Sequence, residues 1–203
     1  MSEVRGPFRS VKRLVLASAS PRRQMLLTSL GISFFVRPSQ IKEPPPRPDQ
    51  KPEDYVLEMA EIKARDVQKK EKDSIVLGAD TSVVLGEKIM GKPDDADHAL
   101  DMLSSLSGRE HRVISGVFIA DCPKGADKFF TTATTVRMNN FPPEILKAYI
   151  ATGETADKAG AYAMQGSGSF LVDNITGSYT NVIGLPLSRT VSQLLKLGCI
   201  TPA

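Results

Sequence analysis

The sequence predicts a mixed α/β fold, one twisted sheet flanked by helices with a cleft across its middle. Three observations carry this. Short apolar runs alternate along the chain with helical apolar stripes, helix start and stop residues fall where those stripes begin and end, and 203 residues of ordinary composition suffice for a substantial core. Residues 1–10 lack such a pattern and read as a flexible N-terminal tail, so a single domain is expected over 11–203.

Taken in order, Leu14–Ala17 reads as a short buried strand and Pro21–Leu30 as a helix. Ser20 is the expected N-cap, Pro21 suits the first helical position, Met25, Leu26 and Leu30 form the apolar stripe, and Gly31 suits a left-handed C′. The prolines and charges of Pro44–Pro52 mark a surface loop, and a helix is expected from about Pro52 to Lys70. Ser74–Gly78 reads as a strand leading through Ala79-Asp80-Thr81 into a hairpin, Ser82–Leu85 and Lys88–Met90, turned at Gly86-Glu87. A helix from about Asp95 to Leu106 follows. Arg112–Ala120 alternates with Val113, Val117 and Ile119 on one face, Phe129–Met138 alternates likewise, and the two are expected to pair around Pro123-Lys124-Gly125. Helices over Pro142–Ala151 and Pro186–Leu197 end at Gly153 and Gly198.

Composition excludes several classes of function. Lys+Arg 26 against Asp+Glu 23 leaves a formal charge of +3, too little to bind a nucleic acid polymer through bulk charge, so any anion site must be local. Cys122 and Cys199 stand alone, as reduced thiols of a cytosolic protein do. The basic residues from Arg9 to Arg13 and the apolar stretch Leu14–Ala19 imitate a leader, but that stretch stops at Pro21-Arg22-Arg23, short of the ~7–15 residues of a secretory h-region or the ~20 of a membrane span. A cytoplasmic chain with no membrane partner is expected.

Four constellations can carry chemistry. In Ser18-Ala19-Ser20-Pro21-Arg22-Arg23, helix N–H groups, two hydroxyls and two guanidiniums converge at a strand-to-helix turn, a phosphate trap; adjacent arginines there oppose the helix dipole unless an anion joins them. Lys63 falls in the stripe Val56, Met59, Ala60, Lys63, Val67, so its ammonium must snorkel outward or reach a carboxylate or phosphate. Asp80 stands at the end of an apolar strand, with Lys92 of Gly91-Lys92-Pro93 beyond the hairpin; such a carboxylate can hold a divalent cation, serve as a general base, or merely cap a turn. The fourth is the glycine-rich stretch from Lys158 to Gly168, where glycines permit close approach to a ligand and the Gln165 amide can read a nucleobase edge. Walker A, H-E-x-x-H and G-x-S-x-G motifs are absent, and His98 reads as a solvated surface residue.

Together these pieces resemble the Maf nucleotide pyrophosphatase family from about Leu14 to Leu197. The matching motifs are Leu16-Ala17-Ser18-Ala19-Ser20-Pro21-Arg22-Arg23, Gly78-Ala79-Asp80-Thr81, Gly91-Lys92-Pro93, Leu106-Ser107-Gly108-Arg109, Thr152-Gly153-Glu154 with Asp157-Lys158-Ala159-Gly160, Ala161-Tyr162-Ala163-Met164-Gln165-Gly166, and Val182-Ile183-Gly184-Leu185-Pro186. The resemblance implies an inosine-triphosphatase-like α/β fold with a deep central cleft, often homodimeric, that cleaves a nucleoside triphosphate to the monophosphate and pyrophosphate with Mg²⁺ or Mn²⁺. It makes Asp80 the proton acceptor and, with Glu43, a metal ligand, and it makes Lys63 and Lys92 charged catalytic residues. Ser18, Ser20, Arg22 and Arg23 become the phosphate-binding turn. Arg22, Thr81 and Gln165 occupy the positions that separate subfamilies and look like the dTTP/UTP branch rather than the 7-methyl-GTP branch. One departure is Lys42-Glu43-Pro44, where relatives often carry an acidic pair. A nucleotide-binding regulator of septum formation with little turnover is the alternative reading.

Overall fold

A computed structural model describes residues 6–121 and 125–203. In chain order the strands and helices are β1 (Phe8–Ser10), β2 (Leu14–Leu16), α1 (Pro21–Thr28), β3 (Phe35–Val36), α2 (Pro52–Gln68), β4 (Ile75–Leu85), β5 (Lys88–Met90), α3 (Ala96–Leu106), β6 (Glu110–Asp121), β7 (Lys128–Met138), α4 (Pro143–Ile150), β8 (Val172–Thr176), α5 (Tyr179–Ile183), α6 (Leu187–Lys196) and β9 (Ile200–Pro202). Two 3-10 turns, Ala159–Ala161 and Ser167–Leu171, lie between α4 and β8.

The strand order β3-β2-β4-β6-β7-β8, with β5 paired to β4, is that of an open, mixed sheet. β2 runs parallel to β3 and β4, whereas β5 on β4 and β8 on β7 are antiparallel. The α/β expectation is met, and the hairpin register Val83↔Met90, Val84↔Ile89, Leu85↔Lys88 leaves Gly86-Glu87 as the two-residue turn, with Gly86 at φ 62°.

Several local expectations are corrected. The strand expected to stop at Gly78 continues without a break to Leu85, because its first half pairs with β2 and its second with β5 while Ala79 and Asp80 are themselves buried. Asp80 therefore lies inside a strand, and its turn-capping role falls away. Phe8–Ser10, read as tail, pairs with β9 through the register Phe8↔Pro202, Arg9↔Thr201, Ser10↔Ile200, while residues 1–5 lie outside the described residues. Ser20 precedes α1 but its side chain makes no capping bond, and Met25, expected in the apolar stripe, is 48% exposed; Leu26 and Leu27 cover the core instead. In β6 both faces are buried, Ile114, Phe118 and Ala120 as well as Val113, Val117 and Ile119: Phe118 and Ala120 pack with residues of α2, and Val113 with residues of α3. Of the turn expected at Pro123-Lys124-Gly125, the first two residues lie outside the described residues, as does Cys122; the Gly125 N–H donates to the Asp121 carbonyl.

The chain divides into two compact units, each with its own core. The first comprises Met1–Asp80, Ser115–Thr132 and Gly184–Ala203, the second Thr81–Ile114 and Ala133–Ile183. In the first, Ala60, Ala64 and Val67 of α2 pack on Val15, Val76 and Phe118. In the second, Leu103 and Leu106 of α3 pack with Val113, Val136, Leu146 and Tyr149. Among the described residues no helix is long and apolar enough to cross a membrane.

Candidate active site

In the first unit the turn between β2 and α1 organises itself. Ser18 is 8% exposed, and its Oγ accepts from the Ser20 N–H at 3.2 Å and from Arg23 Nη1 at 2.9 Å. With both lone pairs engaged, the hydroxyl can offer only its proton, which suits an acceptor such as a phosphate oxygen. Arg23 Nε donates to the Gly184 carbonyl at 2.8 Å, which fixes that guanidinium against the chain entering α6. Burial lowers the Arg23 pKa, and the Asp80 carboxylate, followed by Glu43, opposes that effect; the turn is thus within electrostatic reach of both acids. Arg22, by contrast, makes no hydrogen bond or ion pair with another described residue, and no acidic residue occupies the first turn of α1 to balance it. The two arginines, equivalent in the sequence, separate into one that holds the turn and one that is available.

The Lys63 ammonium takes the carboxylate alternative rather than snorkelling. It lies 2.7 Å from Asp80 Oδ1 and 2.8 Å from Glu43 Oε1, with side-chain exposures of 12% for Lys63, 11% for Asp80 and 47% for Glu43. Two glycines set this reach. A Cβ on Gly78 would come within 2.2 Å of the Ala60 carbonyl oxygen, and one on Gly116 within 2.4 Å of that of Val56, so α2 rests directly on the backbones of β4 and β6. Asp80 follows Gly78 by two residues and shares its strand face, while Lys63 follows Ala60 by one helical turn. The loop that carries Glu43 is tied to the same helix: the Tyr55 hydroxyl donates to the Pro44 carbonyl at 3.1 Å, and Arg47 grips Glu58 with two bonds of 2.9 and 2.8 Å.

A divalent cation has suitable donors here. Glu43 and Asp80 already converge on one positive charge, and both are hard oxygen ligands. No group of three or more His, Cys, Asp or Glu able to hold a metal occurs among the described residues. Mg²⁺-type ions bind through one or two carboxylates together with substrate phosphates and waters, and Asp80 and Glu43 are the two carboxylates that could serve.

The remaining residues proposed for the site belong to the second unit. Thr81 follows Asp80 on β4, and the pleat turns its side chain to the opposite strand face. Lys92 is exposed and forms no ion pair with a described residue, and the neighbouring Gly91 carbonyl accepts from the Gly160 N–H at 2.9 Å. Gln165 is half-buried, and its amide makes no hydrogen bond to a described residue. Glu154, to which the motif reading gives no role, accepts from the Ser167 N–H at 2.9 Å and the Gly168 N–H at 3.1 Å. In the sequence it appears only as the last residue of the matched Thr152-Gly153-Glu154 motif, directly after a helix-ending glycine. His98 is a partly exposed surface residue beside Asp94.

The model of the Maf-like protein family matches residues 13–197. The chain belongs to the Maf family. A protein named dTTP/UTP pyrophosphatase from Nitratidesulfovibrio vulgaris is 47% identical over 195 residues, 96% of this chain and 92% of its own length. One of the same name from Syntrophotalea carbinolica is 46% identical over 189 residues, 92% of this chain and 86% of its own. Another from Methanosarcina mazei is 42% identical over 189 residues, 93% of this chain and 95% of its own. The Maf match extends across every residue named above as part of the site, from Ser18 to Gln165.

Proposed function

We propose that this chain hydrolyses dTTP and UTP to the nucleoside monophosphate and pyrophosphate. The observation that carries the reading is the charge arrangement of the first unit. An available Arg22 and a donor-only Ser18 hydroxyl stand in a turn whose Arg23 feels Asp80 and Glu43, which in turn share Lys63. The names of the relatives point to the same substrates.

In this mechanism Arg22, the Ser18 hydroxyl and the N–H groups at the start of α1, with Ser20, bind the phosphate oxygens, while Arg23 keeps the turn in shape. Asp80 orients a water for in-line attack on the α-phosphorus and accepts its proton. The bond from that phosphorus to the bridging oxygen breaks, and pyrophosphate departs with the bond's electron pair. Lys63 and Lys92 balance negative charge on the phosphoryl oxygens; positioning and electrostatics supply most of the rate enhancement in such transfers. Mg²⁺ or Mn²⁺, held by Asp80 and Glu43 together with the substrate, would supply further charge neutralisation. Gln165 matches the O4 and N3–H edge of uracil or thymine with one donor and one acceptor, and Arg22 and Thr81 complete the subfamily signature. A cytoplasmic location and a homodimer belong to the same reading, the latter tested by light scattering.

The experiment is incubation of purified protein and Mg²⁺ or Mn²⁺ with a nucleotide panel, resolving pyrophosphate from orthophosphate. Pyrophosphate released one-to-one with dTMP or UMP is expected. Orthophosphate would indicate a phosphatase, tight binding without turnover would favour the regulator, and preference for 7-methyl-GTP would overturn the subfamily assignment alone.

A further inference from the structure

Gly166 and Gly168 read in the sequence as room for a ligand, but the space beside them is filled by protein. A Cβ on Gly166 would lie 2.5 Å from Glu154 Oε1, and one on Gly168 would lie 2.4 Å from the Tyr149 hydroxyl oxygen. Gly166 also has φ +86°, a conformation costly for any other residue. These glycines let two side chains reach the backbone of their own segment.

Each side chain grips a different side of Gln165. On the N-terminal side the Ala163 N–H donates to the Tyr149 hydroxyl oxygen at 3.2 Å. On the C-terminal side the Ser167 and Gly168 N–H groups donate to the two Glu154 carboxylate oxygens at 2.9 and 3.1 Å. Tyr149 is a fixed post: it is 3% exposed, lies on α4, and meets Phe170 edge-on with ring centroids 6.1 Å apart. Burial pushes its phenol up to about 12, so it remains a neutral hydroxyl. The Ser167 N–H holds the Glu154 carboxyl below the usual carboxylate range, so the bonds are charge-assisted. Between these anchors Gln165 has a pinned backbone and an amide with no hydrogen bond to a described residue. A side chain so placed is preorganised for a partner from outside, because the ordering cost of its segment has been met before binding.

We propose that Glu154 and Tyr149 are positioning residues that set Gln165 for selection of the uracil or thymine edge. This rests on the pyrimidine nucleotide pyrophosphatase reading above. The chemistry read is a ring carbonyl beside a ring N–H, which adenine lacks. Loosening either anchor should therefore weaken handling of dTTP more than that of dATP, whereas a merely structural role would reduce both alike.

The test is a double-mutant cycle on kcat/KM, with pyrophosphate release from dTTP and dATP measured in parallel. Glu154→Ala should lower kcat/KM for dTTP about tenfold in the otherwise native chain and under about twofold in a Gln165→Ala background, the non-additivity expected of groups acting as one unit. The dTTP-to-dATP ratio should fall by a similar factor. Glu154→Gln, which keeps one acceptor oxygen, should lie between, and Tyr149→Phe, which removes only the hydroxyl, should repeat the pattern if Glu154→Ala does not fold. Equal losses in both backgrounds, or parallel losses for the two nucleotides, would overturn the positioning role while the pyrophosphatase reading stands. A native chain that releases no pyrophosphate from any nucleotide would overturn that reading and the positioning role with it.

Discussion

Between β2 and α1, the groups offered to a ligand are held by neighbours a few residues away: Ser18 takes the Ser20 N–H and Arg23, and Arg22 is left available. Around Gln165, the backbone is held by side chains from eleven or more residues upstream, Glu154 and Tyr149, and glycines make room for them. The first arrangement is a turn built mostly from its own residues, with one remote tie from Arg23 to the Gly184 carbonyl. The second is a loop that acquires its shape from α4 and the residues just after it. Substitutions in the turn should therefore act on ligand binding one residue at a time, whereas the loop should respond to changes outside itself.

The largest expected effect separates the two units by acid. Both histidines of the chain, His98 and His111, belong to the second unit. His111 is 2% exposed, its Nε2 lies 2.7 Å from the Tyr162 hydroxyl, its Nδ1 has no hydrogen-bond partner among the described residues, and burial lowers its pKa to about 4. The folded state thus favours neutral imidazole, while the unfolded chain takes up a proton near pH 6.5. Stability from this group is present above pH 6.5 and is lost as pH falls toward 4, by about 3 kcal/mol over that window. Chemical denaturation across that range should show the loss in the native chain and a flatter profile in His111→Gln; equal slopes would exclude His111 as the cause.

Next in size is Asp80→Asn. Turnover should fall roughly 10²-fold, equivalent to about 2.7 kcal/mol of transition-state stabilisation. The amide oxygen can still meet Lys63, so circular dichroism should report a folded protein. Wild-type turnover in a folded variant would reduce Asp80 to a structural ion-pair partner.

The arginine pair tests the turn directly. Arg22→Ala should weaken nucleotide binding by about 1.5–3 kcal/mol, the loss of a charge-assisted contact, and leave the melting temperature unchanged or raised. Arg23→Ala should lower both, since it also removes the bonds to Ser18 and Gly184. Titration calorimetry and thermal melts that failed to separate the two variants would break the division of roles.

The smallest effect contrasts two helix starts. Asp95 caps α3 by accepting from the His98 N–H at 2.7 Å, so Asp95→Ala should cost about 1 kcal/mol. Ser20 makes no such bond, and Ser20→Ala should cost less than about 0.5 kcal/mol in the protein without nucleotide.

What could be read from the sequence follows the same division between local and remote. The stripe of α2 and the Gly86-Glu87 hairpin are periodic or turn-coded features, and they placed Lys63 inward and the second half of β4 correctly. The false break at Ala79-Asp80-Thr81 arose because no local signal reveals that one strand pairs with β2 in its first half and β5 in its second. The Ser20 cap failed although Ser20 does precede the helix: its side chain makes no capping bond, and it is the Ser20 N–H, given to Ser18 Oγ, that shapes the turn, a choice residue type alone does not rank. Glu154 stood in a matched motif and Tyr149 in a helix, but neither showed its task, because the groups they hold are backbone N–H groups, which every residue but proline carries.

Gly78 and Gly116 bring α2 down onto bare backbone, and this makes the pair a spacer gauge for the charges above it. A methyl group at either position is a wedge under the helix. Lifting the helix by an ångström would stretch the 2.7 Å contact between Lys63 and Asp80 beyond hydrogen-bonding distance without altering a single charged residue. An uncharged substitution on the far side of the contact is then a mutation of the ionic site, and its mark would be altered turnover in a protein whose polar residues are all in place.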